Sequence, residues 1–301
     1  MKKVRAWVHA ARLRTLPLSV SGIIVGTALA NSLGFYNTLI FIGAILTTIM
    51  FQVTSNLAND YGDGMKGTDD DRIGPKRAFQ SGMLSKKELR RGIFFSSVLG
   101  FVLAMGLIYI AFGKEHLNYI FFFSVLGMLS IWAAIKYTVG SSPYGYRGLG
   151  DIFVFLFFGQ VSVLGTMFLY TKSITLLAFL PSVTIGLLCT GVLNLNNLRD
   201  VVSDQKHGKN TLVVKMGFAN GKRYHYVLLM LSFFSMAMYT VLSKSNFYNA
   251  YYLLAFLPVF LHMHKVMVTN EPVLLDTELK KLALSTFLLA LLFLMAVNNF
   301  L

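Results

Sequence analysis

NTLIFIGAILTTIMFQVTSNLANDYGDGMKGTDDD, residues 37–71, decides how the chain is read. Residues 37–58 carry no charged side chain. A helix of that length reaches across the roughly 30 Å hydrocarbon core of a bilayer. Then Asp60, Asp63, Asp69, Asp70 and Asp71 arrive together. The unit is a membrane crossing that ends in clustered carboxylates and amides. It recurs where the apolar stretch 174–198 runs into Asn196-Asn197-Leu198-Arg199-Asp200-Val201-Val202-Ser203-Asp204.

Working outward from these two stretches, nine spans are expected, at 16–33, 37–58, 92–112, 117–135, 152–171, 174–198, 225–243, 247–264 and 282–300. Of the 301 residues, 55% are hydrophobic and 13% are charged. That charged share is about half the soluble norm, which excludes an ordinary globule and a disordered chain. Unbroken apolar runs exclude a β-barrel, whose strands alternate faces. The expected fold is all-α and polytopic, one membrane domain over 1–301.

The net charge of +14 would suggest nucleic acid in a soluble protein. Here the span count explains it instead. Of the 27 basic residues, all but Lys114, Lys172 and Lys244 fall on one side of the nine spans. Basic loops face the cytoplasm, so the N-terminus is expected inside and the C-terminus outside a cell (inner or plasma) membrane. The anionic lipid leaflet is then the partner of the positive charge, with no role for nucleic acid. Ala28-Leu29-Ala30 resembles a signal-peptide cleavage site, but losing the first span would break this alternation. The single cysteine, Cys189, lies in an apolar run and reads as a packing residue.

The acids concentrate on the basic side. If helix continues past the second span, Asn59 and Asp63 share one face at i,i+4, and Asn56 and Asp60 share the neighbouring one. Asn196, Asp200 and Asp204 form a similar row at the end of the sixth span. Two facing helices would bring these carboxylates together. Facing carboxylates repel unless a cation or proton intervenes. An all-oxygen set of Asp and Asn suits Mg2+, which keeps waters and bridges to phosphates. Lys66, Arg72, Lys76, Arg77, Arg199, Lys206 and Lys209 supply cations suited to phosphate oxygens. In a membrane, that chemistry fits a polyprenyl diphosphate. A solvated belt of cytoplasmic charge is the reading that needs no ligand. A transporter would carry its ionisable groups nearer mid-membrane, where this chain has almost none. Gly208-Lys209-Asn210-Thr211 lacks the earlier glycine of a P-loop. His262 and His264 point apart at i,i+2 on a helix and are expected at the interface, not on a shared metal.

At these residues the sequence resembles the UbiA superfamily of intramembrane aromatic prenyltransferases. The likeness is carried by Trp7 with Ala11-Arg12-Leu13-Arg14-Thr15-Leu16-Pro17, by Asn56-Leu57-Ala58-Asn59-Asp60-Tyr61-Gly62-Asp63, and by Arg72-Ile73-Gly74-Pro75-Lys76-Arg77. Gly148-Leu149-Gly150-Asp151-Ile152-Phe153 and Asn196-Asn197-Leu198-Arg199-Asp200 add to it. It looks most like the menaquinone-forming branch, which prenylates 1,4-dihydroxy-2-naphthoate with loss of CO2. 4-Hydroxybenzoate is the competing acceptor.

The resemblance implies nine helices around a central cavity capped on the cytoplasmic side. It implies two Mg2+ ions held by Asn59, Asp63, Asp200 and Asp204, with Asp60 and Asn196 in support. The loop 61–82 would close over the site, with Lys76 and Arg77 on the diphosphate. Tyr137 is a candidate for stabilising the allylic cation or touching diphosphate, or else an interfacial tyrosine. Two departures stand out. The usual first motif has a third Asp where this chain has Gly67, with Asp69 close by. Many relatives have Gly-Glu where this chain has Gly150-Asp151.

Overall fold

A computed structural model describes residues 2–68, 77–243 and 247–298. Asp69, Asp70, Asp71, Arg72, Gly74, Pro75, Lys76 and Lys244, discussed above, lie outside the described residues. The described residues are helical with connecting turns and contain no strand.

The chain begins with a short polar helix, α1 (Lys2–Ala11). Its Trp7 ring packs where Gly92 has no side chain; a Cβ there would meet the ring at 2.5 Å. Arg12 then turns the chain with φ 51°, a left-handed conformation that a non-glycine residue rarely adopts. Helix α2 (Leu16–Ser32) follows with Pro17 in its first turn, where the missing N–H costs no helical bond.

Helix α3 (Thr38–Met65) is N-capped by Asn37, whose side chain accepts from the N–H groups of Leu39 and Ile40. Helix α4 (Lys86–Phe112) opens on a reciprocal Ser85–Glu88 capping box. Next come α5 (Leu117–Lys136), α6 (Gly150–Thr171) and α7 (Phe179–Arg199). Two short helices, α8 (Val201–Lys206) and α9 (Leu212–Met216), lead to α10 (Phe218–Leu242). A 3-10 stretch precedes α11 (Phe256–Val268), and α12 (Asp276–Val297) closes the described chain.

Nine helical segments among the described residues are long and apolar enough to cross a membrane, as the sequence predicts. Several run beyond their apolar stretches. α3 continues to Met65, α10 starts at Phe218 and α12 at Asp276. Helical hydrogen bonding satisfies the backbone wherever it emerges, so the helix need not stop where the hydrophobic residues do.

Small residues let the spans approach closely. A Cβ on Gly159 of α6 would sit 2.7 Å from the Cα of Gly186 on α7. Gly22 and Gly26 of α2 meet Ser162, Val163 and Thr166 of α6 in the same way. The middle of α6, Phe155–Gly165, is a π-helix, a form that recurs beside functional sites.

One expectation fails here. His262 is buried, not interfacial. Its Nε2 lies 2.9 Å from Nε2 of His225 on α10, and its Nδ1 lies 2.9 Å from Oε2 of Glu278 on α12. Burying imidazole in a helical bundle is costly without partners. Those partners come from distant helices, so the local sequence does not reveal them. His264 faces outward, as expected.

A cavity of about 720 Å³ lies within the bundle. Its walls come from α2 to α7 and α12, with the turns next to them; α10 and α11 contribute none. Seven of the nine spans therefore enclose the cavity, while the other two back α7 and α12.

Candidate active site

The last two turns of α3 set the site. Residues four apart share a face, and the two Asn–Asp rows look in different directions. Asn59 and Asp63 line the cavity. Asn56 and Asp60 are buried against the protein. Asn56 Nδ2 donates to the Ala11 carbonyl (2.8 Å) and approaches Thr15 Oγ1 (3.2 Å), while Gln52 donates to Asn56 Oδ1 (3.1 Å). The Asp60 carboxylate accepts the N–H groups of Ala78 (3.1 Å) and Phe79 (3.2 Å). This row binds α3 to the N-terminal elbow and to the segment that carries Arg77.

Thr138, just past α5, holds Asn59 in place. Its Oγ1 lies 3.0 Å from the Ala58 carbonyl and 3.2 Å from Asn59 Oδ1. Asp63 is the hub. Its Oδ1 accepts from the Tyr146 hydroxyl at 2.8 Å, and its Oδ2 lies 2.9 Å from Arg77 Nη1. Lys209 Nζ is 3.9 Å from Asp63 Oδ2 and 3.6 Å from Asp204 Oδ1. An ammonium thus stands between the first motif on α3 and the second on α8. The expected convergence of the two acidic stretches is present at Asp63 and Asp204.

The electrostatics follow from this arrangement. Burial by itself lowers the pKa of Lys209, but Asp63 and Asp204 more than offset it and hold it above the ordinary lysine value. Lys66 goes the other way, lowered chiefly by partial burial and also by Lys209. Burial, then the charges of Asp63, Asp151 and Asp204, push the Tyr137 phenol far up, so it stays protonated.

Around the second motif, α7 ends at Arg199 and Asp200 sits at the break before α8. The helical bonds from Asp200 N–H to the Asn196 carbonyl and from Asp204 N–H to the Asp200 carbonyl persist. The three side chains nevertheless have separate surroundings. Asn196 lines the cavity. Asp200 is held by the Arg199 fork at 2.7 and 2.6 Å. Asp204 faces Lys209. Arg199 also donates to Asn196 Oδ1 (2.8 Å) and to Asp276 Oδ1 (2.6 Å), so it clamps the motif to the start of α12 while lining the cavity.

Other expected residues are placed as follows. Arg77 and Tyr137 line the cavity, and Lys66 points toward the Thr138 carbonyl at 3.3 Å. Asp151 opens α6, is buried, and bonds Tyr224 rather than lining the cavity. Gly67 has φ 70° and ends α3, a conformation that glycine adopts without strain. The position where the resemblance expects a third Asp thus lies just past the end of α3. Asp69, Arg72 and Lys76 lie outside the described residues.

The sequence reading missed Tyr144, Tyr146, Phe153, Gln52 and Asp276. The signal for the tyrosines was the dense Pro143-Tyr144-Gly145-Tyr146 stretch on the motif side. Tyr144 stacks on Phe153 with centroids 4.0 Å apart and meets Tyr137 edge-on at 5.4 Å. It also missed the polar wall in which Arg12, Arg14, Thr15, Gln52 and Ser55 face the cavity.

No group of three His, Cys, Asp or Glu residues suited to a metal occurs among the described residues. The candidate donors are all oxygens: the amides of Asn59 and Asn196 and the carboxylate of Asp63 on the cavity wall, with the Asp204 carboxylate facing the same Lys209 ammonium as Asp63. Such a set fits a hard cation that takes its remaining ligands from water and phosphate. The Lys209 ammonium between Asp63 and Asp204 marks where positive charge is stabilised.

Paired Asn–Asp motifs over an apolar cavity in a helical bundle fit an intramembrane prenyltransferase. The chain belongs to the UbiA prenyltransferase family, whose sequence profile matches residues 19–292. It is 42% identical to 1,4-dihydroxy-2-naphthoate octaprenyltransferase of Escherichia coli (strain K12), over 99% of this chain and 96% of that one. The enzyme of the same name from Haemophilus influenzae is 43% identical, over 97% and 95%. Among solved structures, a UbiA homolog from Archaeoglobus fulgidus bound to DMAPP and Mg2+ shares the fold. Its TM-score is 0.67 at 13% identity, covering 98% of this chain and 99% of that one. A homolog from Aeropyrum pernix K1 gives 0.69 at 14% identity, over 93% and 97%.

Proposed function

We propose that this protein transfers a polyprenyl group from polyprenyl diphosphate to 1,4-dihydroxy-2-naphthoate, with loss of CO2 and diphosphate, to give demethylmenaquinol, the reduced form of demethylmenaquinone. The observation that carries this is a single cavity joining two kinds of wall. At one end stand Asn59, Asp63, Arg77, Asn196, Arg199 and Lys209; deeper lie Leu107, Ile108, Phe123 and Leu169. A charged diphosphate on a long apolar tail matches both. Strong identity to naphthoate prenyltransferases supports the acceptor.

Asn59, Asp63, Asn196 and Asp204 would hold Mg2+, with Asp200 fixed beside them by Arg199. Bound there, Mg2+ would supply charge that neutralises diphosphate and makes it a better leaving group. Arg77 and Lys209 add fixed positive charge to the same oxygens. The allylic C–O bond breaks and its electron pair leaves with the diphosphate. A C–C bond then forms to the carboxyl-bearing ring carbon. That carbon releases CO2, so no net proton transfer is needed.

Tyr137, Tyr144 and Phe153 present aromatic faces that stabilise the allylic cation and keep water away from it. Arg12 and Arg14, beside Thr15, Gln52 and Ser55, receive the acidic, hydroxylated acceptor. The site opens toward the cytoplasm, following the basic loops.

Membranes containing the protein test this. They are supplied with all-trans polyprenyl diphosphate and either the naphthoate or 4-hydroxybenzoate, with Mg2+ or EDTA. Mass analysis should find demethylmenaquinol, or the demethylmenaquinone it forms on oxidation in air, from the naphthoate only when Mg2+ is present. Product from the benzoate alone would refute the acceptor.

A further inference from the structure

We infer that Tyr146 is the positioning residue of the first acidic motif, fixing Asp63 and holding two lysines at working distance. This rests on the metal–diphosphate reading of the site and goes beyond it. Tyr146 sits on a 3-10 turn, Tyr144–Arg147, between α5 and α6. Its carbonyl accepts the Asn210 N–H at 3.1 Å, which ties that turn to the segment before α9. Its hydroxyl donates to Asp63 Oδ1 at 2.8 Å and lies 2.7 Å from Thr68 Oγ1. With the Tyr146 proton given to Asp63, the Thr68 hydroxyl donates in turn to Tyr146. Through its side chain and its carbonyl, one residue therefore links three separate interhelical connections.

The ring does a second job. Lys66 Nζ lies 4.0 Å from its centroid, and Lys209 Nζ lies 5.4 Å away. An aromatic face attracts an ammonium without discharging it. The Lys209 distances to Asp63 and Asp204, 3.9 and 3.6 Å, are long for a charge-assisted bond, which closes to about 2.8 Å when unrestrained. Tyr146 thus competes with the carboxylates for Lys209, while Lys66 is held between the ring and the Thr138 carbonyl. The Lys209 ammonium stays loosely paired on the cavity wall and remains available to phosphate oxygens. The hydroxyl also occupies Asp63 Oδ1, which leaves Oδ2 as the oxygen facing Arg77 and Lys209.

Tyr146 is absent from the cavity walls, which places it behind Asp63 rather than against substrate.

Two variants separate the two jobs. Tyr146→Phe removes the hydroxyl and keeps the ring; Tyr146→Leu removes both. The full-length protein in nanodiscs is titrated with Mn2+ in the presence of inorganic pyrophosphate and followed by electron paramagnetic resonance. Thermal unfolding and steady-state kinetics accompany the titration. Tyr146→Phe should weaken Mn2+–pyrophosphate binding about tenfold, as loss of a bond to a charged group does. Its KM for the naphthoate should stay at the wild-type value while kcat falls about tenfold. Tyr146→Leu should weaken pyrophosphate further. If the leucine variant does not fold, the phenylalanine variant decides alone.

Wild-type Mn2+–pyrophosphate affinity in Tyr146→Phe would overturn the proposal, as would an equal rise in KM for both substrates. The binding arm is independent of turnover. Wild-type protein that binds Mn2+–pyrophosphate but makes no product would refute the assigned reaction and leave Tyr146 to be judged by its variants. Wild-type protein that binds no Mn2+–pyrophosphate would overturn both.

Discussion

Asp60 and Asp63 are three residues apart on one helix and face opposite demands. Asp63 lines the cavity and meets Arg77; Asp60 caps two backbone N–H groups and never reaches the cavity wall. Asp63→Asn should lower kcat by about a thousandfold or more while leaving KM for the naphthoate unchanged. Asp60→Asn should act through the segment it holds, chiefly raising KM for the diphosphate, because Arg77 loses its anchor. Equal losses of kcat in the two would mean that both carboxylates do the same work. The two lysines beside Tyr146 also separate. Lys66 is held below the ordinary lysine value and Lys209 above it, so rising pH discharges Lys66 first. Lys66→Arg should therefore move the alkaline limb of the rate profile to higher pH, and Lys209→Arg should leave it in place. Rates measured from about pH 7 to about pH 11 check this. The spacing of Asn and Asp was legible in the sequence. Which row faces the cavity was not, because Ala11, Thr15, Ala78 and Phe79, which claim the other row, are brought there by tertiary folding.

The helices themselves were read well as apolar runs and poorly at their ends. Hydropathy reports contact with lipid, and α3, α10 and α12 extend past their apolar stretches into polar surroundings, where it is silent. The π-helix within α6 left no hydropathy signal either. Close helix contacts give a test at this scale. Gly62 of α3 abuts Thr138, where a Cβ would come within 2.8 Å of the Thr138 carbonyl carbon. Gly62→Ala should displace Thr138, and with it Asn59 and Tyr137, so activity should fall more than thermal stability. Gly159→Ala, between α6 and α7, should cost about 1–3 kcal/mol of stability by overpacking. The buried chain from Glu278 through His262 to His225 joins three helices behind the cavity. Glu278→Ala should destabilise by about 3 kcal/mol, since it strands His262. Unfolding in mild detergent should show that loss with KM for the diphosphate unchanged.

Across the whole molecule, the basic residues divide so unevenly that an odd number of spans with the N-terminus inside is the expected topology. Alkaline phosphatase fused after residue 301 should be active, and fused within 206–212 it should be silent. The cavity adds a consequence of another kind. Its cationic rim and apolar depth match a substrate that is itself a membrane lipid. Such a substrate has a surface density, set by how many other lipids share the bilayer, and hardly any aqueous concentration. The enzyme should then saturate with mole fraction. Adding inert phospholipid at fixed total substrate should slow it. Diluting the whole suspension in buffer, with the naphthoate kept saturating, should leave turnover per enzyme unchanged. The composition of its bilayer would set its working rate as directly as any change to its side chains.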